Sequence, residues 1–328
     1  MKKLLLPFTF KYGALVFIGL VVLFFSLNDE AFFTYGNLTD ILRSISIVTF
    51  IAIGVTISLT VDGFDLSVGS TVSLSTVLTA TLMVWYEMPL IVVLVVSIAV
   101  GALIGLLNAF LIVKVRIPDL LATLAVMFIV SGIHKTYTKG YSIYNNMPMA
   151  DGSTAPGVML PEFLWIGQGK LFGVPFPVIL MLLAVIAVHL FFKYTRWGRQ
   201  MIMTGGNEEA ARLSGLRVKR IRTLAYVASG VFASIGGILF ASRIGSGQID
   251  AGAPLLMEAV AAVFVGYSVF AAGRPNMIGT FVGAVLMGVL ANGLTMLNIQ
   301  YYTTDIIKGA VLVLALAVTF IHLSRRKA

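Results

Sequence analysis

Few side chains in this sequence could take part in covalent or metal chemistry. The chain has no cysteine, which excludes a disulfide framework, a thiolate metal site and a cysteine nucleophile. Its three histidines lie near the ends of apolar runs and lack the spacing of metal ligands: His134, His189 and His322. There is no G-x-x-x-x-G-K-[ST] phosphate loop, since "GQGK" at 167–170 lacks the first glycine of that pattern. We therefore expect no catalytic residue, no metal site and no cofactor bound by this chain.

Hydroxyl side chains recur at every fourth position in "VDGFDLSVGSTVSLSTVLTA", residues 61–80. A helix would stack these hydroxyls along one stripe, which could line a path for a polar solute. The alternative is that each hydroxyl bonds to a carbonyl of its own helix or packs against a neighbouring helix. The stripe consists of Ser67, Thr71, Ser75 and Thr79.

The turn before this stripe has residues suited to starting a helix. Gly63 permits a tight reversal of the chain. Asp65 or Ser67 can cap the following helix by accepting a hydrogen bond from one of its unpaired N–H groups. The carboxylate of Asp65 would also lie favourably at the positive end of the helix dipole.

Two asparagines, Asn108 and Asn292, interrupt apolar segments. Each follows a pair of glycines that would let helix backbones approach closely. These glycines are Gly101, Gly105, Gly283 and Gly288. A buried amide needs a hydrogen-bond partner, so each asparagine would join helices or contribute to a solute path. Acids and bases are nearly absent from the centres of the apolar runs, which argues against a proton-coupled carrier.

The segment "TGGNEEAARLSGLRVKRIR", residues 204–222, is polar in an otherwise apolar chain. We predict a helix from Glu208 to Ser214. A capping residue precedes it, two acidic residues occupy its first turn, and a glycine follows that can adopt the left-handed conformation common after the last turn of a helix. These framing residues are Asn207, Glu208, Glu209 and Gly215. Glu208 and Arg212 are spaced for an i,i+4 ion pair. A helix of about two turns is marginal alone in water, so either a partner packs on it or the segment is a solvated loop.

Composition places these polar segments in a membrane protein. Mean hydropathy is +0.98 and charged residues make up 11% of the chain, against about 25% in an ordinary soluble domain. Ten apolar runs approach the roughly 20 residues that a helix needs to cross a bilayer. They are 10–27, 44–61, 66–86, 89–113, 119–134, 174–192, 223–242, 256–272, 276–297 and 305–323. We predict an all-α, polytopic integral membrane protein with about ten transmembrane helices.

The basic residues predict the orientation of these spans. With the N-terminus inside, 17 of the 23 Lys and Arg residues fall on the cytoplasmic side, as the positive-inside rule requires. An odd number of spans would place the C-terminal "SRRKA" outside, so we expect both termini to be cytoplasmic. The same bias explains the net charge of +9 without nucleic-acid binding. The N-terminal segment is interpreted as a retained span and not as a signal peptide.

Two connections between spans are long. Residues 193–222 form a cytoplasmic loop in this orientation, and residues 135–173 form an external loop. The external loop contains "NNMPMADGSTAPGVMLPEF", whose Pro, Gly, Asn and Asp favour irregular turns. We expect a short surface helix around 158–166.

Four segments of the chain, in order, resemble one family of membrane proteins. They are "GFDLSVGS" at 63–70, "GGNEEAARLSGL" at 205–216, "MEAVAAVFVG" at 257–266 and "GTFVGAVLMGVLANGL" at 279–294. Each is similar to a segment of the permease subunits of ribose-type sugar ABC importers, which are related more distantly to branched-chain amino acid permeases. The resemblance covers about residues 40–318. We expect the whole chain, 1–328, to form a single transmembrane permease domain.

This resemblance implies a transport subunit, not an enzyme, in the bacterial cytoplasmic (inner) membrane and surrounded by membrane lipid. A sugar or sugar-like solute would enter the cytoplasm by alternating access between two permease copies or paralogues. An external substrate-binding protein would deliver the solute, and a pair of ATP-binding cassette subunits would hold ATP and Mg.

The resemblance also assigns expected roles to particular residues. The segment that would dock into the ATP-binding subunit contains Asn207, Glu208, Glu209, Arg212 and Gly215. The family signature at the helix turn contains Gly63, Asp65, Ser67 and Gly69. Candidates for the translocation path are Ser67, Thr71, Ser75, Asn108 and Asn292. Arg243, near the outer end of the seventh span, could contact the binding protein.

One segment departs from the family pattern. Relatives of the ribose permease carry a glycine-rich "GG-x-S-x-x-GG-x-G" run where this chain reads "GYSVFAAGRPN", 266–276. Tyr267, Arg274 and Pro275 therefore stand where small residues are usual, and the sequence does not identify the solute. A nucleoside or an autoinducer-type signalling molecule is an alternative cargo, and an ion-coupled secondary transporter is the alternative class. A membrane enzyme would need paired carboxylates or an activated nucleophile within the spans, and none is visible.

Overall fold

The computed structural model describes the backbone of residues 2–149, 151–268 and 274–327, with side chains at 15–149, 151–267, 274–300, 302–314 and 317. The chain in these ranges is mostly helical. The helices are α1 (Lys2–Asn28), α2 (Tyr35–Thr60), α3 (Ser67–Val84), α4 (Leu90–Ala109), α5 (Asp119–Tyr137), α6 (Pro161–Gln168), α7 (Phe176–Tyr194), α8 (Arg196–Gly206), α9 (Glu208–Leu213), α10 (Val218–Ile244), α11 (Gly252–Ser268), α12 (Met277–Met296) and α13 (Tyr301–Lys327). A π-helical turn, Phe110–Val115, extends α4, and a 3-10 helix, Glu30–Phe33, precedes α2.

Seven of the helices are long and apolar enough to cross a membrane, judged on the described residues. They are α2, α3, α4 with its π-helical extension, α5, α7, α10 and α12. The described part of α1 and helix α11 are apolar but shorter, at Leu15–Asn28 and Gly252–Tyr267. A predominantly helical chain with many spans is thus confirmed, whereas the count of ten and the cytoplasmic termini stay predictions.

The predicted spans all coincide with helices, and their ends differ where polar residues begin a helix. The second run was expected to begin at 44, but α2 begins at Tyr35. Thr34 caps α2 by accepting a hydrogen bond from the backbone N–H of Asn37. Hydropathy misses these first turns because they contain Asn, Thr, Asp and Arg, which a capped helix tolerates. The last residues of the predicted span 256–272 lie outside the described residues.

The predicted external loop, 135–173, contains two small ordered elements. Helix α6 confirms that a short helix forms near 158–166, displaced slightly towards the C-terminus, while its position at the outer surface stays a prediction. A hairpin that was not predicted follows this helix and consists of β1 (Lys170–Leu171) and β2 (Val174–Pro175). Its two turn residues, Phe172 and Gly173, both have positive φ, as a tight hairpin turn requires.

Helix α10 occupies the centre of the bundle, in contact with α2, α3 and α4. Glycines allow its close approach to α4. A Cβ atom added to Gly230 would lie 2.1 Å from the carbonyl oxygen of Gly101, and one added to Gly105 would lie 2.2 Å from that of Tyr226. The predicted role of Gly101 and Gly105 in helix packing is therefore confirmed.

The chain between α10 and α11, residues 245–251, is not helical, yet it runs against α3 inside the bundle. Thr76 on α3 donates a hydrogen bond to the carbonyl of Gln248 at 2.6 Å, and the backbone N–H of Gly252 donates to Ser73 at 2.9 Å. Ile143 of the external loop forms both backbone hydrogen bonds with Gly247. Non-helical backbone is tolerated among transmembrane helices where protein groups satisfy it in this way.

Candidate functional site

The predicted cytoplasmic helix exists and is capped as expected. Helix α9 extends over Glu208–Leu213, one residue shorter than predicted. The side chain of Asn207 accepts a hydrogen bond from the backbone N–H of Ala210 at 2.9 Å. Gly215 ends the segment with φ of 80°, a left-handed conformation that glycine adopts without steric cost. Helix α8, which precedes α9 and was not predicted, connects it to the end of α7.

The predicted ion pair between Glu208 and Arg212 is wrong. Arg212 pairs with Glu209, three residues away, at 2.6 Å, and both side chains are exposed. Glu208 instead pairs with Arg222 of α10 at 2.9 Å. The hydrogen bond and the negative charge of Glu209 raise the pKa of the Arg212 guanidinium above its ordinary value, so the guanidinium remains charged at neutral pH.

Arg222 joins α9 to two of the candidate membrane spans, α10 and α5. Its second guanidinium nitrogen contacts Asp119, the first residue of α5, at 2.5 Å. The same carboxylate oxygen of Asp119 accepts a hydrogen bond from the hydroxyl of Tyr226 at 2.5 Å. We call Glu208, Arg222 and Asp119 the charged bridge. One guanidinium therefore connects α9, α10 and α5.

The signature turn lies directly against this bridge. A Cβ atom added to Gly63 would lie 2.4 Å from the hydroxyl oxygen of Tyr226 and 2.9 Å from the carboxylate of Asp119. Gly63 was expected to permit the reversal of the chain, but Asp62 is the residue in the left-handed region, with φ of 57°. Glycine is required at 63 by the lack of space, and this could not be seen in the sequence.

Asp65 lies at the centre of a buried polar cluster. One of its carboxylate oxygens accepts hydrogen bonds from the backbone N–H of Ser67 at 3.0 Å and from the Ser67 hydroxyl at 2.7 Å. The other oxygen accepts from the hydroxyl of Ser229 on α10 at 2.8 Å. Asn108 of α4 donates to the Ser67 hydroxyl at 2.7 Å. Asp65 thus accepts from the first N–H of α3, as predicted, although Leu66 occupies the N-cap position itself, and the cluster ties α3, α4 and α10 together at the signature turn.

Gly69, the last signature residue, allows α11 to approach α3. A Cβ atom at this position would lie 3.1 Å from the side chain of Leu256 and 3.3 Å from the carbonyl oxygen of Gly252. The signature residues therefore contact the charged bridge at one end and the start of α11 at the other.

The hydroxyl stripe of α3 is buried and internally hydrogen bonded. Thr71 donates to the carbonyl of Ser67 at 2.9 Å, Thr79 donates to that of Ser75 at 2.8 Å, and Ser75 donates to the hydroxyl of Ser234 at 2.9 Å. Such contacts are the ones expected if the hydroxyls bond within their own helix and to a neighbouring helix. A role of this stripe in the solute path stays a prediction.

The two asparagines do not meet. Asn108 belongs to the polar cluster, whereas Asn292 donates a hydrogen bond to the side chain of Asn37 near the start of α2, at 2.8 Å. Arg243, at the end of α10, donates to the hydroxyl of Ser44 at 2.6 Å and is partly buried. Its contact with a binding protein stays a prediction, as does a role of Asn292 in the path.

Sequence reasoning missed an ion pair between two helices that lie in predicted spans. Glu258 of α11 contacts Lys308 of α13, and their side chains are 15% and 18% exposed. Each residue lies about two turns inside its helix. The signal in the sequence was Glu258 as the only charged residue of the run 256–272 and Lys308 near the start of the run 305–323, and nothing local indicated that the runs were neighbours.

Sequence reasoning also missed an exposed apolar side chain on α9. Leu213 is 78% exposed beside the Glu209–Arg212 pair. Throughout the residues that the structure describes, no three His, Asp or Glu side chains are grouped as ligands for a metal ion.

Comparison with known proteins identifies the relatives of this architecture. Residues 37–316 match the family described as "Branched-chain amino acid transport system / permease component". The ribose import permease protein of Escherichia coli (strain K12) is 36% identical over 88% of this chain and 86% of its own length. The ribose import permease protein of Bacillus subtilis (strain 168) is 32% identical over 93% of this chain and 91% of its own length. The galactose/methyl galactoside import permease protein of Escherichia coli (strain K12) is 32% identical over 99% of this chain and 98% of its own length.

Proposed function

Because this chain belongs to the family of branched-chain amino acid transport system permease components, we propose that it is the transmembrane subunit of an ATP-dependent ABC importer. It moves a sugar or sugar-like solute into the cytoplasm by alternating access. Its relatives are named as import permeases for ribose and for galactose or methyl galactoside, which supports a sugar cargo. The sequence has no phosphate loop of its own, so ATP and Mg bind to partner subunits.

The observation that carries this proposal is the charged bridge. A solvated loop that only satisfied the orientation rule would need neither a capped helix nor a guanidinium shared between two carboxylates. Arg222 is 17% exposed and Asp119 is 19% exposed, so this contact is partly shielded from solvent, whereas Glu208 is 56% exposed and its contact with Arg222 lies at the surface. A force applied to α9 is therefore passed to α5 and α10.

The outward face of α9 is suited to a protein partner. Leu213 offers an apolar contact, and the exposed Glu209–Arg212 pair surrounds it with charge. An apolar centre with a polar rim is the usual composition of a protein interface. We propose that this face docks into the ATP-binding subunits.

The remaining architecture follows from this assignment. The chain has ten spans with both termini in the cytoplasm of the bacterial inner membrane, and the loop 193–222 faces the ATP-binding pair. Two copies, or one copy and a paralogue, form the permease, and an external binding protein delivers the solute to the side that carries α6. The basic residues on the cytoplasmic side support this orientation.

The solute is less sharply defined than the class of transporter. The named cargoes of the relatives include both a pentose and a hexose, and a nucleoside or signalling molecule would also suit a path of hydroxyls and amides. In the departing segment 266–276, Tyr267 packs against Phe264 with ring centroids 5.3 Å apart, and Arg274 is exposed. Residues 269–273 of that segment lie outside the described residues.

Reversing the charge of both acids on α9 tests the coupling role. In Glu208→Lys/Glu209→Lys, lysine faces Arg222 and Arg212, so like charges replace both ion pairs. We expect normal insertion into the membrane but a loss of coupled uptake of roughly tenfold or more, equivalent to about 1.4 kcal/mol. Uptake of radiolabelled D-ribose and D-galactose is measured in proteoliposomes with the ATP-binding subunit and the binding protein.

A control reverses one acid on the opposite side of the membrane. Glu162→Lys changes an exposed residue of α6 and should leave the ATP-binding subunit attached; because α6 lies on the side that receives the binding protein, the control is read by attachment of the ATP-binding subunit and not by uptake. Uptake by the α9 double variant at the parental rate would remove the coupling role from these acids. Uptake that proceeds without any ATP-binding subunit and collapses with an ion gradient would instead establish a secondary transporter.

Leu213→Ser tests the docking face itself. Burying a leucine in an interface contributes about 1.5–3 kcal/mol, so loss of its side chain should weaken binding of the ATP-binding subunit by roughly tenfold or more. Binding is measured by titrating the detergent-solubilised permease with the purified subunit. Leu213→Met, which keeps the apolar volume, should bind nearly as well as the parent, and equal weakening of both variants would contradict an apolar contact.

A further inference from the structure

A cavity lies between α11, α12 and α13, and no residue of the charged bridge lines it. Its volume is about 450 Å³, within the range of pockets that hold small ligands. Residues from all three helices line it, among them Ala253, Met257, Glu258, Met287, Lys308 and Gly309.

The wall of this cavity contains the Glu258–Lys308 ion pair. Ionisable side chains are expensive inside a bilayer and in known membrane proteins mark solute or ion pathways. A lysine two turns inside a helix could extend towards the membrane surface, but Lys308 is held by Glu258 and both remain mostly buried. Asp305, one turn earlier on α13, adds a further carboxylate to the lining.

Small residues create the space beside the pair. Ala253 on α11 and Gly309 on α13 both line the cavity. A Cβ atom added to Gly309 would meet no other atom within 4 Å, because this glycine is exposed at the open side of the cavity, so it is not required for helix packing. That distinguishes it from Gly101 and Gly230, where the neighbouring backbone leaves no room.

We propose that this cavity is a water-filled section of the solute path and that Glu258 and Lys308 bind an uncharged, polyhydroxylated solute. The inference rests on the proposed transport function and adds a site to it. A carboxylate accepts hydrogen bonds and an ammonium donates them, while each solute hydroxyl can do both. The paired charges cancel, so the site favours a neutral polyol over an ion. Met257 and Met287 supply apolar surface for the C–H groups of the solute.

The absence of native cysteine makes the cavity directly testable. Ala253→Cys and Gly309→Cys each place a single thiol in this chain, and the labelling of this chain is followed in the complete transporter after treatment with a positively charged, membrane-impermeant methanethiosulfonate reagent. We expect both thiols to react at least roughly tenfold faster than a thiol in lipid, and D-ribose or D-galactose to slow the reaction. Leu183→Cys on α7, where the native side chain is 60% exposed, is the control for a lipid-facing position.

Substitution of the ion pair gives a second measurement. Glu258→Gln and Lys308→Met should each lower coupled uptake by roughly tenfold, while stimulation of ATP hydrolysis by the binding protein is retained. Two outcomes would overturn the inference. Either the thiols at 253 and 309 react no faster than the thiol at 183, or sugar protects neither of them. The ion pair would then be a structural link between α11 and α13.

The two proposals fail in different ways. If the thiols are unreactive but uptake still requires ATP, the cavity inference fails alone. If the thiols react and are protected by sugar but uptake needs no ATP-binding subunit, the cavity stands as a solute site and the proposed coupling to ATP fails.

Discussion

Arg222→Met is expected to uncouple ATP hydrolysis from uptake almost completely. The substitution keeps most of the side-chain volume but removes the guanidinium that contacts Glu208 at 2.9 Å and Asp119 at 2.5 Å. Breaking a buried ion pair by removing one partner costs about 3–5 kcal/mol, and partial exposure of this bridge places the expected loss of stability near the lower value. Uptake in proteoliposomes should fall by more than roughly tenfold while the ATP-binding subunit continues to hydrolyse ATP.

A second substitution separates coupling from stability. In Arg222→Met the carboxylate of Asp119 keeps its hydrogen bond from the hydroxyl of Tyr226 but loses its positively charged partner. Part of the loss of stability therefore comes from the unpaired negative charge of Asp119. Adding Asp119→Asn removes that charge and should restore thermal stability towards the parental value. Uptake should stay low, because α9 is still disconnected from α10 and α5. Recovery of uptake in the double variant would show that the bridge contributes only to stability.

The sequence was sufficient where structure is determined by nearby residues. The cap at Asn207, the acidic first turn of α9 and the left-handed Gly215 are all local, and all three were predicted. The spans were predicted for the same reason, since hydropathy is a property of each run alone. The start of α2 was missed because its first turns are polar and are held by the cap at Thr34.

The pairing of side chains between helices could not be predicted in the same way. Glu208 could have paired with any of several basic residues in the loop 193–222, and the nearest suitable spacing favoured Arg212. The fold instead places Arg222 between Glu208 and Asp119. Glu258 and Lys308 lie 50 residues apart, so their contact depends on which helices are neighbours.

The hydroxyl pattern of α3 illustrates the same limit. The four-residue spacing correctly placed the hydroxyls on one side of a helix, but it could not distinguish a solute path from packing. Ser75 bonds to Ser234, while two residues outside the stripe bond to other backbone: Ser73 accepts from the first N–H of α11, and Thr76 donates to the carbonyl of Gln248 in the non-helical chain before it. A bundle that buries irregular backbone needs such donors and acceptors, and this need is set by the tertiary structure.

Gly230→Val is expected to destabilise the transmembrane bundle more than any exposed substitution considered above. A Cβ atom at Gly230 would lie 2.1 Å from the carbonyl oxygen of Gly101 and 3.1 Å from the backbone nitrogen of Gly105. These are backbone atoms that no side-chain rotation can move, so α4 and α10 must separate. Overpacking of this kind costs about 1–3 kcal/mol and occasionally more, and we expect a value at or above the upper end.

The measurement is thermal unfolding of the detergent-solubilised permease, with Gly132→Val as the matched control. Gly132 lies on α5, where an added Cβ would meet nothing within 4 Å, and valine is a slightly better helix former than glycine. The control should therefore unfold at or slightly above the parental temperature. Gly230→Ala, which adds only the clashing Cβ, should fall between the parent and Gly230→Val. Equal unfolding temperatures for the variants at 230 and 132 would contradict close backbone packing of α4 against α10, and with it the rigid frame through which the charged bridge acts.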